Sequence, residues 1–591
     1  MNRPTPRARS RFAVALAGAA LLVTMAVPFA AAKPPPDGEG EVNAQTTDIQ
    51  LLALNDFHGN LLPPSGSGGR IGPLTDIDPG PGENLQCVEP TCYLAGGVEF
   101  LASHVRELEA TNPNTLFVSA GDLIGATPLI SALFHDEPTI EAFNLMDLDY
   151  NGVGNHEFDE GVDELLRMQE GGCHPVDGCL DGDDFAGADF QFLAANVAYK
   201  DTGETIFPPY AIHKFNGIKV AIVGMTLEGT PDIVTPAGIQ TVNFFDEADS
   251  VNALVPELKA QGAETIIVLL HEGGSTSNPL NPVTINECGT LSGPLPPIVD
   301  RMDDEIDIVI TGHTNWAVNC VVDGKVVTGA AHQGRLVTDI DVSISRATKD
   351  VVSVSVNNVI VTRDVERAPD LTALVDKYAT LVAPLSNRVV GSVTADILRA
   401  NNAAGESALG DVIADSQLAA TSDPLFGGAV VAFMNPGGIR TDILFNQISG
   451  GEQPGEVTYG ELFTVQPFSN VMTVMTCTGA QIDALLEQQF RASGNTVLQV
   501  SNGFAYTWNS AAPLGSRVDI GSITIGGTPI DAGASYRVAM NNFLATGGDG
   551  FSVFTQCTDP LGGEIDLDVL VTYFGANSPV APGPQNRITR L

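Results

Sequence analysis

The sequence predicts an α/β protein with two domains. Short apolar runs with the length of buried strands alternate with helical stretches, a pattern typical of α/β domains. The apolar runs include residues 49–54, 115–119, 220–223, 265–270 and 306–310, and the helical stretches include residues 98–108 and 251–259. The chain has 591 residues, too many for one hydrophobic core, and a second strand-rich region begins near residue 389.

The first 32 residues have the layout of a secretory signal peptide. Four arginines and no acid precede an uncharged apolar run that ends in three alanines. We therefore expect cleavage after residue 32, a flexible Pro/Gly-rich leader at 33–46, and a secreted protein, extracellular or periplasmic, with no membrane span once the signal is removed. An uncleaved membrane anchor is the alternative, but the apolar run is short for a span.

The charge of the chain limits its partners. The formal net charge is -43. A surface this acidic repels polyanions, so we expect no long nucleic acid as a ligand. A phosphorylated substrate would need a local cationic feature, such as metal ions or buried arginines. The default explanation of the acidity is solubility outside the cell or a salty habitat.

Eight cysteines in an exported chain predict disulfides rather than metal ligands. Sequence alone leaves about a hundred possible pairings open. Proximity along the chain favours Cys87 with Cys92, Cys173 with Cys179, Cys288 with Cys320 and Cys477 with Cys557.

Most of the candidate metal ligands follow directly after an apolar strand. They stand in five short motifs at residues 55–59, 121–122, 154–159, 271 and 312–315. Open α/β sheets gather their sites at the carboxyl ends of strands, so these loops can meet in one crevice. Their imidazole, carboxylate and amide oxygen donors suit two divalent metal ions such as zinc or manganese. Two such ions can hold a hydroxide and clamp a phosphoryl group.

The five motifs resemble those of calcineurin-like metallophosphoesterases, and the string Gly-Asn-His-Glu-Phe-Asp resembles one branch, the 5'-nucleotidase/UDP-sugar hydrolase family. The resemblance implies an N-terminal β-sandwich flanked by helices, a connector helix and a second α/β domain. It also implies two ligand sets, Asp56, His58, Asp122 and Asn315 for one metal, and Asp122, Asn155, His271 and His313 for the other. Asp122 would bridge the two ions. Relatives usually carry a histidine where this chain has Asn315.

The resemblance further implies a catalytic pair, His156 and Asp159. A metal-bound hydroxide would attack the phosphoryl group, while His156 would stabilise the developing charge or protonate the leaving oxygen. Asp159 would orient the imidazole and keep it charged. The remaining histidines lie outside the motifs, and we assign them no function: His104, His135, His174, His213 and His332.

Four stretches in the second half, at residues 405–410, 435–440, 465–470 and 542–551, resemble the signatures of the family's C-terminal domain. By this likeness Phe468 and Phe543 would stack on a base, with Asn470 near it. Asp549 would bind ribose, and Arg440 and Arg399 would reach the phosphates. Relatives often carry an arginine where this chain has Ala403, so the phosphate contacts on that side can differ.

The domain boundaries follow from these assignments. We expect a metallophosphoesterase domain at 47–366, a connector helix at 367–388 and a 5'-nucleotidase C-terminal domain at 389–591. The expected function is release of phosphate from nucleotides by a metal-dependent phosphoric monoester hydrolase. The alternatives are a 2',3'-cyclic-nucleotide phosphodiesterase, a UDP-sugar hydrolase, an extracellular nuclease, or a surface protein that binds nucleosides without turnover. The sequence leaves the oligomeric state open.

Overall fold

The computed structural model describes residues 46–64, 66–76, 85–234, 236–278, 280–468, 470–492 and 494–591. The predicted signal peptide, and the predicted leader up to residue 45, lie outside the described residues. The first described strand is Thr46–Leu54.

Two six-stranded sheets form the N-terminal domain, each with parallel strands at its centre. In spatial order the first sheet contains Val351–Ile360, Leu336–Ser345, Thr46–Leu54, Thr115–Ser119, Tyr150–Gly152 and Gln191–Leu193. The second contains Tyr210–Phe215, Ile218–Met225, Ala263–Leu270, Ile308–Thr311, Lys325–Ala330 and Ala317–Val322. The antiparallel pairs lie toward the edges, as in Leu336–Ser345 against Thr46–Leu54.

The two sheets pack face to face, and this packing explains why the second half of strand Thr46–Leu54 is mostly apolar. Alternate side chains of a strand point to opposite faces. Ile49 and Leu51 face the second sheet and pack with residues such as Leu269, while Leu52 and Leu54 face the opposite side. All of these side chains are buried. A strand covered on both faces shows no regular alternation of apolar and polar residues, and Gln50, which is also buried, donates to Asp339 Oδ1 at 2.7 Å.

Helices cover the outer faces of the sandwich. Their bounds are α1 Val98–Glu109, α2 Leu129–Ala132, α3 Glu137–Leu145, α4 Val162–Glu170, α5 Glu247–Ala260 and α6 Leu295–Arg301. α1 packs on the first sheet and α5 on the second. The layers are therefore helix, sheet, sheet, helix, and the predicted sandwich is confirmed.

Helix α7, Pro369–Ser386, lies within the stretch predicted as the connector. It packs against α1, α2 and α3 of the N-terminal domain. The following helices are α8 Ala408–Thr421, α9 Tyr459–Val465, α10 Gly479–Glu487, α11 Asn542–Ala545 and α12 Asp566–Asn577. α7 also packs against α9, so it touches both domains. α9 and α10 each begin at a capping box, Thr458 with Glu461 and Thr478 with Gln481.

The C-terminal domain is a second α/β unit. Its five-stranded sheet contains, in spatial order, Gln499–Val500, Val431–Met434, Ser535–Asn541, Val471–Thr478 and Thr558–Ile565. Its four-stranded sheet contains Thr528–Pro529, Thr524–Ile525, Phe504–Trp508 and Ile588–Arg590. Helices α8 and α12 pack on each other and on the larger sheet. The prediction of two α/β domains is confirmed.

Short two-stranded ribbons lie outside the larger sheets. They pair Arg70–Ile71 with Tyr93–Leu94, Thr75–Asp76 with Leu85–Gln86, Val197–Tyr199 with Val242–Phe244, Ser275–Thr276 with Leu291–Ser292, Val389–Ser392 with Glu456–Thr458, and Phe490–Arg491 with Gly494–Asn495. Across the described ranges, no helix is both long and apolar enough to cross a membrane.

Four disulfides join the cysteines in the pairs that proximity along the chain favours. They are Cys87–Cys92, Cys173–Cys179, Cys288–Cys320 and Cys477–Cys557. The predicted pairing is confirmed. The last bridge joins strand Val471–Thr478 to the segment that precedes the edge strand Thr558–Ile565.

Candidate active site

The predicted metal ligands lie in loops at the carboxyl ends of strands from both sheets of the sandwich. Asp56 and His58 follow Thr46–Leu54, and Asp122 follows Thr115–Ser119. Asn155 follows Tyr150–Gly152, His271 follows Ala263–Leu270, and His313 and Asn315 follow Ile308–Thr311. The sandwich therefore brings five loops of one domain to the same edge.

The backbone of these loops is strained. Asp56, His58, Asp122, His313 and Asn315 all have positive φ, between 48° and 67°. Non-glycine residues rarely adopt this conformation, and such residues cluster at functional sites. Glycine is required beside them. At Gly121, with φ 91°, a Cβ atom would lie 2.6 Å from His271 Nδ1.

Asp122 lies at the centre of the candidate ligands. One cluster joins Asp122 with His271 and His313, a second joins it with Asp56 and His58, and within each cluster the ligand atoms are at most 4.8 Å apart. Asp122 Oδ2 lies 3.0 Å from His271 Nε2 and 3.8 Å from His58 Nε2. Asp122 therefore belongs to both clusters, and its role as a bridge stays a prediction.

Asn155 and Asn315 differ in how closely they join these clusters. Asn155 Oδ1 lies 3.1 Å from His271 Nε2 and 2.9 Å from His313 Nδ1, so its oxygen faces both imidazoles. The Nδ2 of Asn315 donates to the backbone oxygen of His313 at 3.4 Å. The role of Asn315 as a ligand stays a prediction.

Hydrogen bonds on the outer side of two imidazoles set their tautomers. His58 Nδ1 lies 2.9 Å from the carbonyl oxygen of Gly125, and His271 Nδ1 lies 2.7 Å from that of Ala120. A carbonyl accepts only from an N–H, so each Nδ1 carries hydrogen. The two Nε2 atoms then turn toward the carboxylates. This is the arrangement in which proteins present imidazole to a metal ion.

The buried carboxylates fit a centre that holds positive charge. Asp56 is fully buried, and its Oδ1 has no hydrogen-bond partner among the described residues. Burial raises the pKa of Asp56 to about 7. Burial lowers the pKa of His271, but the charge of Asp122 outweighs it and raises that pKa to about 10. At His58 the effect of burial exceeds the opposing charge of Asp122, and the pKa is lowered to about 3. The donor set therefore fits divalent cations.

His156 and Asp159 form a hydrogen-bonded pair beside these clusters. His156 Nδ1 lies 2.8 Å from Asp159 Oδ2. The ring of His156 contacts the edge of the His58 ring, with centroids 5.0 Å apart, and its backbone N–H donates to Asp122 Oδ1. Burial lowers the pKa of His156, but the charges of Asp159 and Asp122 outweigh it, so the pKa is raised. The geometry favours a charged imidazole.

Glu157 is a positioning residue to which no sequence pattern assigned a role. Its carboxylate is buried and accepts from the backbone N–H groups of Asp122 and Leu123 at 3.0 and 2.9 Å. It also accepts from the N–H of Gly154 at 2.7 Å. Glu157 thus ties the loop of Asp122 to the loop of Asn155. Its place inside the Gly-Asn-His-Glu-Phe-Asp string was the only signal in the sequence.

The predicted base and ribose residues lie together in the C-terminal domain. Asn435 Nδ2 donates to Asp549 Oδ2 at 2.8 Å, and Asn541 Nδ2 donates to Asn435 Oδ1 at 3.1 Å. Arg491 donates to the backbone oxygen of Asp549. Asn435 and Arg491 hold Asp549, which has φ 53°, and Asn541 holds Asn435. No sequence pattern assigned a role to Asn435, Asn541 or Arg491, because only the folded chain brings them together.

The predicted phosphate-binding arginines lie close together, but they are not equivalent. The Arg440 guanidinium lies over the Phe468 ring, with Cζ 5.7 Å from the centroid. Burial, and next the charge of Arg399, lower the pKa of Arg440. Arg399 itself is exposed and donates to the backbone oxygen of Ile439 at 3.4 Å. Nearby, Asn470 Nδ2 donates to Asp566 Oδ2 at 3.3 Å.

One cavity of about 860 Å³ joins the two halves of the site. From the N-terminal domain it is lined by Asn155, His156, Asp159 and His313, and from the C-terminal domain by Arg440, Phe468, Asn470, Phe543 and Asp549. Asp56, His58, Asp122 and His271 are buried beneath its floor. Arg399 is not among its lining residues. A volume of this order accommodates a small organic ligand.

Two family models match the chain. Residues 49–316 match the calcineurin-like phosphoesterase model, and residues 389–556 match the 5'-nucleotidase C-terminal domain model. The chain is 30% identical over 555 residues to cell wall protein Lmo0130 of Listeria monocytogenes, covering 90% of this chain and 67% of that protein. The chain belongs to the 5'-nucleotidase family. Its fold and domain order are those that the sequence resemblance implied.

Other relatives widen the range of activities within this family. The chain is 31% identical over 544 residues to endonuclease YhcR of Bacillus subtilis, a match that covers 91% of this chain but only 41% of that protein. Among solved structures, the 5'-nucleotidase precursor of Thermus thermophilus superposes with a TM-score of 0.70 at 25% identity. That match covers 92% of this chain and 99% of the other. By contrast, this chain spans less than half of the length of endonuclease YhcR.

Proposed function

We propose that this chain is a secreted, metal-dependent phosphohydrolase that releases phosphate from nucleoside monophosphates. The single observation that carries the proposal is the cavity shared by the two domains. At one end it presents the His156–Asp159 pair above the buried carboxylates and histidines. At the other it presents two phenylalanines and the carboxylate of Asp549. A nucleotide has matching parts: an anionic phosphate, a ribose diol and a flat base.

The candidate ligands supply a place for two divalent ions. Asp56, His58, Asp122 and Asn315 would hold one ion, and Asp122, Asn155, His271 and His313 the other. When bound, such ions activate water and neutralise charge on a phosphoryl group. Two observations support this assignment: Asp122 belongs to both clusters, and Asp56 Oδ1 has no hydrogen-bond partner among the described residues.

His156 would act on the phosphoryl oxygens. Its Nδ1–H donates to Asp159, which leaves Nε2 free to face the substrate. A charged imidazole holds a proton at Nε2, where it stabilises negative charge or passes to the leaving oxygen. Asp159 fixes the ring orientation and favours the charged form. Arg440 brings a second cation to the cavity.

The C-terminal domain would bind the nucleoside. Phe468 and Phe543 both line the cavity and are half-buried, so part of each ring is open to a ligand. The Asp549 carboxylate, held by Asn435, would accept hydrogen bonds from the ribose hydroxyls. Asn470, anchored by Asp566, would lie near the base.

The proposal places the protein outside the cytoplasm. The four disulfides are typical of an oxidising compartment. The signal-peptide pattern in residues 1–32 points the same way.

The second candidate function is a phosphodiesterase or nuclease. The resemblance to a protein named endonuclease supports it. The net charge of -43 argues against long nucleic acids, because phosphate backbones need cationic surfaces. Binding without turnover is the third candidate, and the nearly complete set of candidate ligands argues against it.

A substrate panel separates these functions. Phosphate release would be measured from the common nucleoside monophosphates, with zinc, manganese, cobalt or magnesium added in turn. Cleavage of 2',3'-cyclic nucleotides, UDP-glucose, bis(p-nitrophenyl) phosphate and single-stranded DNA would be measured in parallel. We expect the highest kcat/KM with the monophosphates. Cleavage of diesters or DNA without phosphate release would identify the second candidate, and nucleoside binding without any hydrolysis the third.

A further inference from the structure

A histidine–carboxylate cluster lies apart from the two ligand sets described above. It consists of His135, Glu160, His174 and Asp177, and three separate segments contribute to it. His135 follows α2 and has φ 50°. Glu160 is next in sequence to Asp159. His174 and Asp177 lie in the loop that the Cys173–Cys179 disulfide closes.

The contacts within this cluster are close. His135 Nδ1 lies 2.9 Å from Glu160 Oε2, and His135 Nε2 lies 3.0 Å from Asp177 Oδ2. His174 Nδ1 lies 3.4 Å from the same Asp177 oxygen. The two imidazole rings lie face to face, with centroids 3.7 Å apart and planes within 13°.

The surroundings of this cluster are negative. The side chains of His135 and His174 are 17% and 15% exposed, whereas Glu160 and Asp177 are nearly half exposed. The hydrogen bond to Glu160 raises the pKa of His135 to about 9, and the charge of Glu164 adds to this. The Arg167 guanidinium on the same helix as Glu164 is already bound by Glu164 and Glu137. The cluster therefore favours a cation.

We propose that this cluster binds one divalent transition-metal ion, such as zinc, separate from the two ions of the candidate active site. One ligand atom from each of His135, Glu160 and His174 lies within 4.8 Å of the other two. Two imidazoles and a carboxylate are a ligand set that zinc uses where a fourth position stays open. The proposal does not depend on the proposed nucleotidase function.

Asp177 would accept a hydrogen bond from His135 rather than bind the ion. Metal-binding histidines commonly donate their second N–H to a carboxylate, which fixes the tautomer. The Nδ1 of His135 contacts Glu160, and its Nε2 contacts Asp177. Nδ1 would therefore bind the ion while Nε2–H donates to Asp177. This matches the carboxylate–histidine–metal order.

The cluster must close slightly around the ion. Tetrahedral ligands at about 2.1 Å from zinc lie about 3.4 Å from one another. The stacked rings must also tilt toward each other, because an imidazole binds a metal through a lone pair in its plane. His174 stands on a short surface loop, so its ring can move without disturbing a strand.

The position of the proposed ion links it to the active-site cavity. His135, Glu160 and Asp177 line the same cavity as His156 and Asp159. The open coordination position would face this cavity. A bound cation there would add positive charge to a part of the cavity wall that carries Glu160, Glu164 and Asp177.

Metal content tests the proposal. The full chain would be stripped with a chelator, dialysed against zinc, passed through a desalting column and measured for zinc per chain. Wild type should retain one zinc ion per chain more than His174→Gln or Glu160→Gln. His213→Gln, which changes a histidine in strand Tyr210–Phe215 outside the cluster, should match wild type. The test compares zinc per chain in wild type with that in each variant, so it does not require the candidate active site to bind zinc.

Circular dichroism and thermal unfolding of the stripped proteins would show that the variants are folded. Because His174→Gln and Glu160→Gln change different segments, the test can still be decided with one variant if the other unfolds. Equal zinc content in wild type and both folded variants would overturn the proposal. A loss of zinc in His213→Gln equal to that in His174→Gln would also overturn it, since the lost ion would not be specific to this cluster.

Discussion

The ring of Phe468 in the C-terminal domain lies nearly parallel to the ring of His156 in the N-terminal domain, with centroids 5.9 Å apart and planes at 18°. Phe468 also meets the Arg440 guanidinium. The residue proposed to grip the base thus touches the residue proposed to act on the phosphate. The two ends of a nucleotide can be bound at once only if the domains hold this arrangement or one close to it.

The division of labour between the domains can be tested with Phe468→Ala/Phe543→Ala. Stacking on a base is worth about 1 to 3 kcal/mol per aromatic ring. If the two effects add to about 2 to 6 kcal/mol, kcat/KM for AMP should fall by roughly thirtyfold to twenty-thousandfold. Glycerol phosphate, which has no base, should be affected little. Phe426→Ala, an exposed phenylalanine outside the cavity, is the matched control. Equal losses on both substrates would make the two phenylalanines structural.

His156→Ala should lower kcat for AMP by about a hundredfold to ten-thousandfold, the usual contribution of a general acid. Metal content should stay at the wild-type value, because the His156 side chain bonds to Asp159, and the bond to Asp122 comes from the backbone N–H, which the substitution keeps. Steady-state kinetics and metal analysis on the same preparation check both statements. A variant that loses a metal ion and regains turnover on added metal would instead identify His156 as a ligand.

Asp122→Ala should reduce metal content more than Asn315→Ala does. Asp122 belongs to both ligand clusters, whereas the amide of Asn315 donates to the backbone of His313. Metal analysis after dialysis against zinc or manganese measures the difference. If both variants kept nearly all of their metal, Asp122 would be a turn residue and the proposed bridge would be wrong.

Much of the fold could be predicted from local patterns. The apolar run at 49–54 became strand Thr46–Leu54, and the ligands behind the strands met at one edge because parallel strands end together. Two of the cysteine pairs, Cys87–Cys92 and Cys173–Cys179, were predicted correctly because cysteines five and six residues apart along the chain stay close in space. These features depend on short stretches of sequence.

The remaining features depend on contacts that no short stretch contains. Asn435 and Asn541 are far apart in sequence, yet both support Asp549. His135 and His174 had no motif around them, and only the folded chain stacks their rings. For Asn470 the likeness indicated a place near the base but not its anchor, Asp566.

Asp566 also allows a test of stability against pH. Its carboxyl is buried, and burial raises its pKa to about 7. In the unfolded chain the pKa is about 3.9. Between these values the folded state holds a proton that the unfolded state has lost, so this contribution to stability falls as the pH rises. The amide in Asp566→Asn does not titrate.

Between pH 5 and pH 8 the free energy of unfolding of wild type should therefore fall by about 2 kcal/mol relative to that of Asp566→Asn. Thermal unfolding of both proteins at the two pH values gives the comparison. Asp568→Asn, an exposed position on the same helix, should show no such trend. A constant difference between Asp566→Asn and wild type would mean that Asp566 is ionised throughout this range.

Metal dependence of phosphate release from AMP is the most direct test of the proposed active site. The chain would be stripped of metal with a chelator, and phosphate release would be measured before and after zinc or manganese is restored. Activity should vanish on stripping and return on restoration in wild type, but should not return in Asp122→Ala, because the candidate site offers its ions a shared carboxylate. Undiminished phosphate release from the fully stripped wild-type protein would contradict a metal-dependent mechanism.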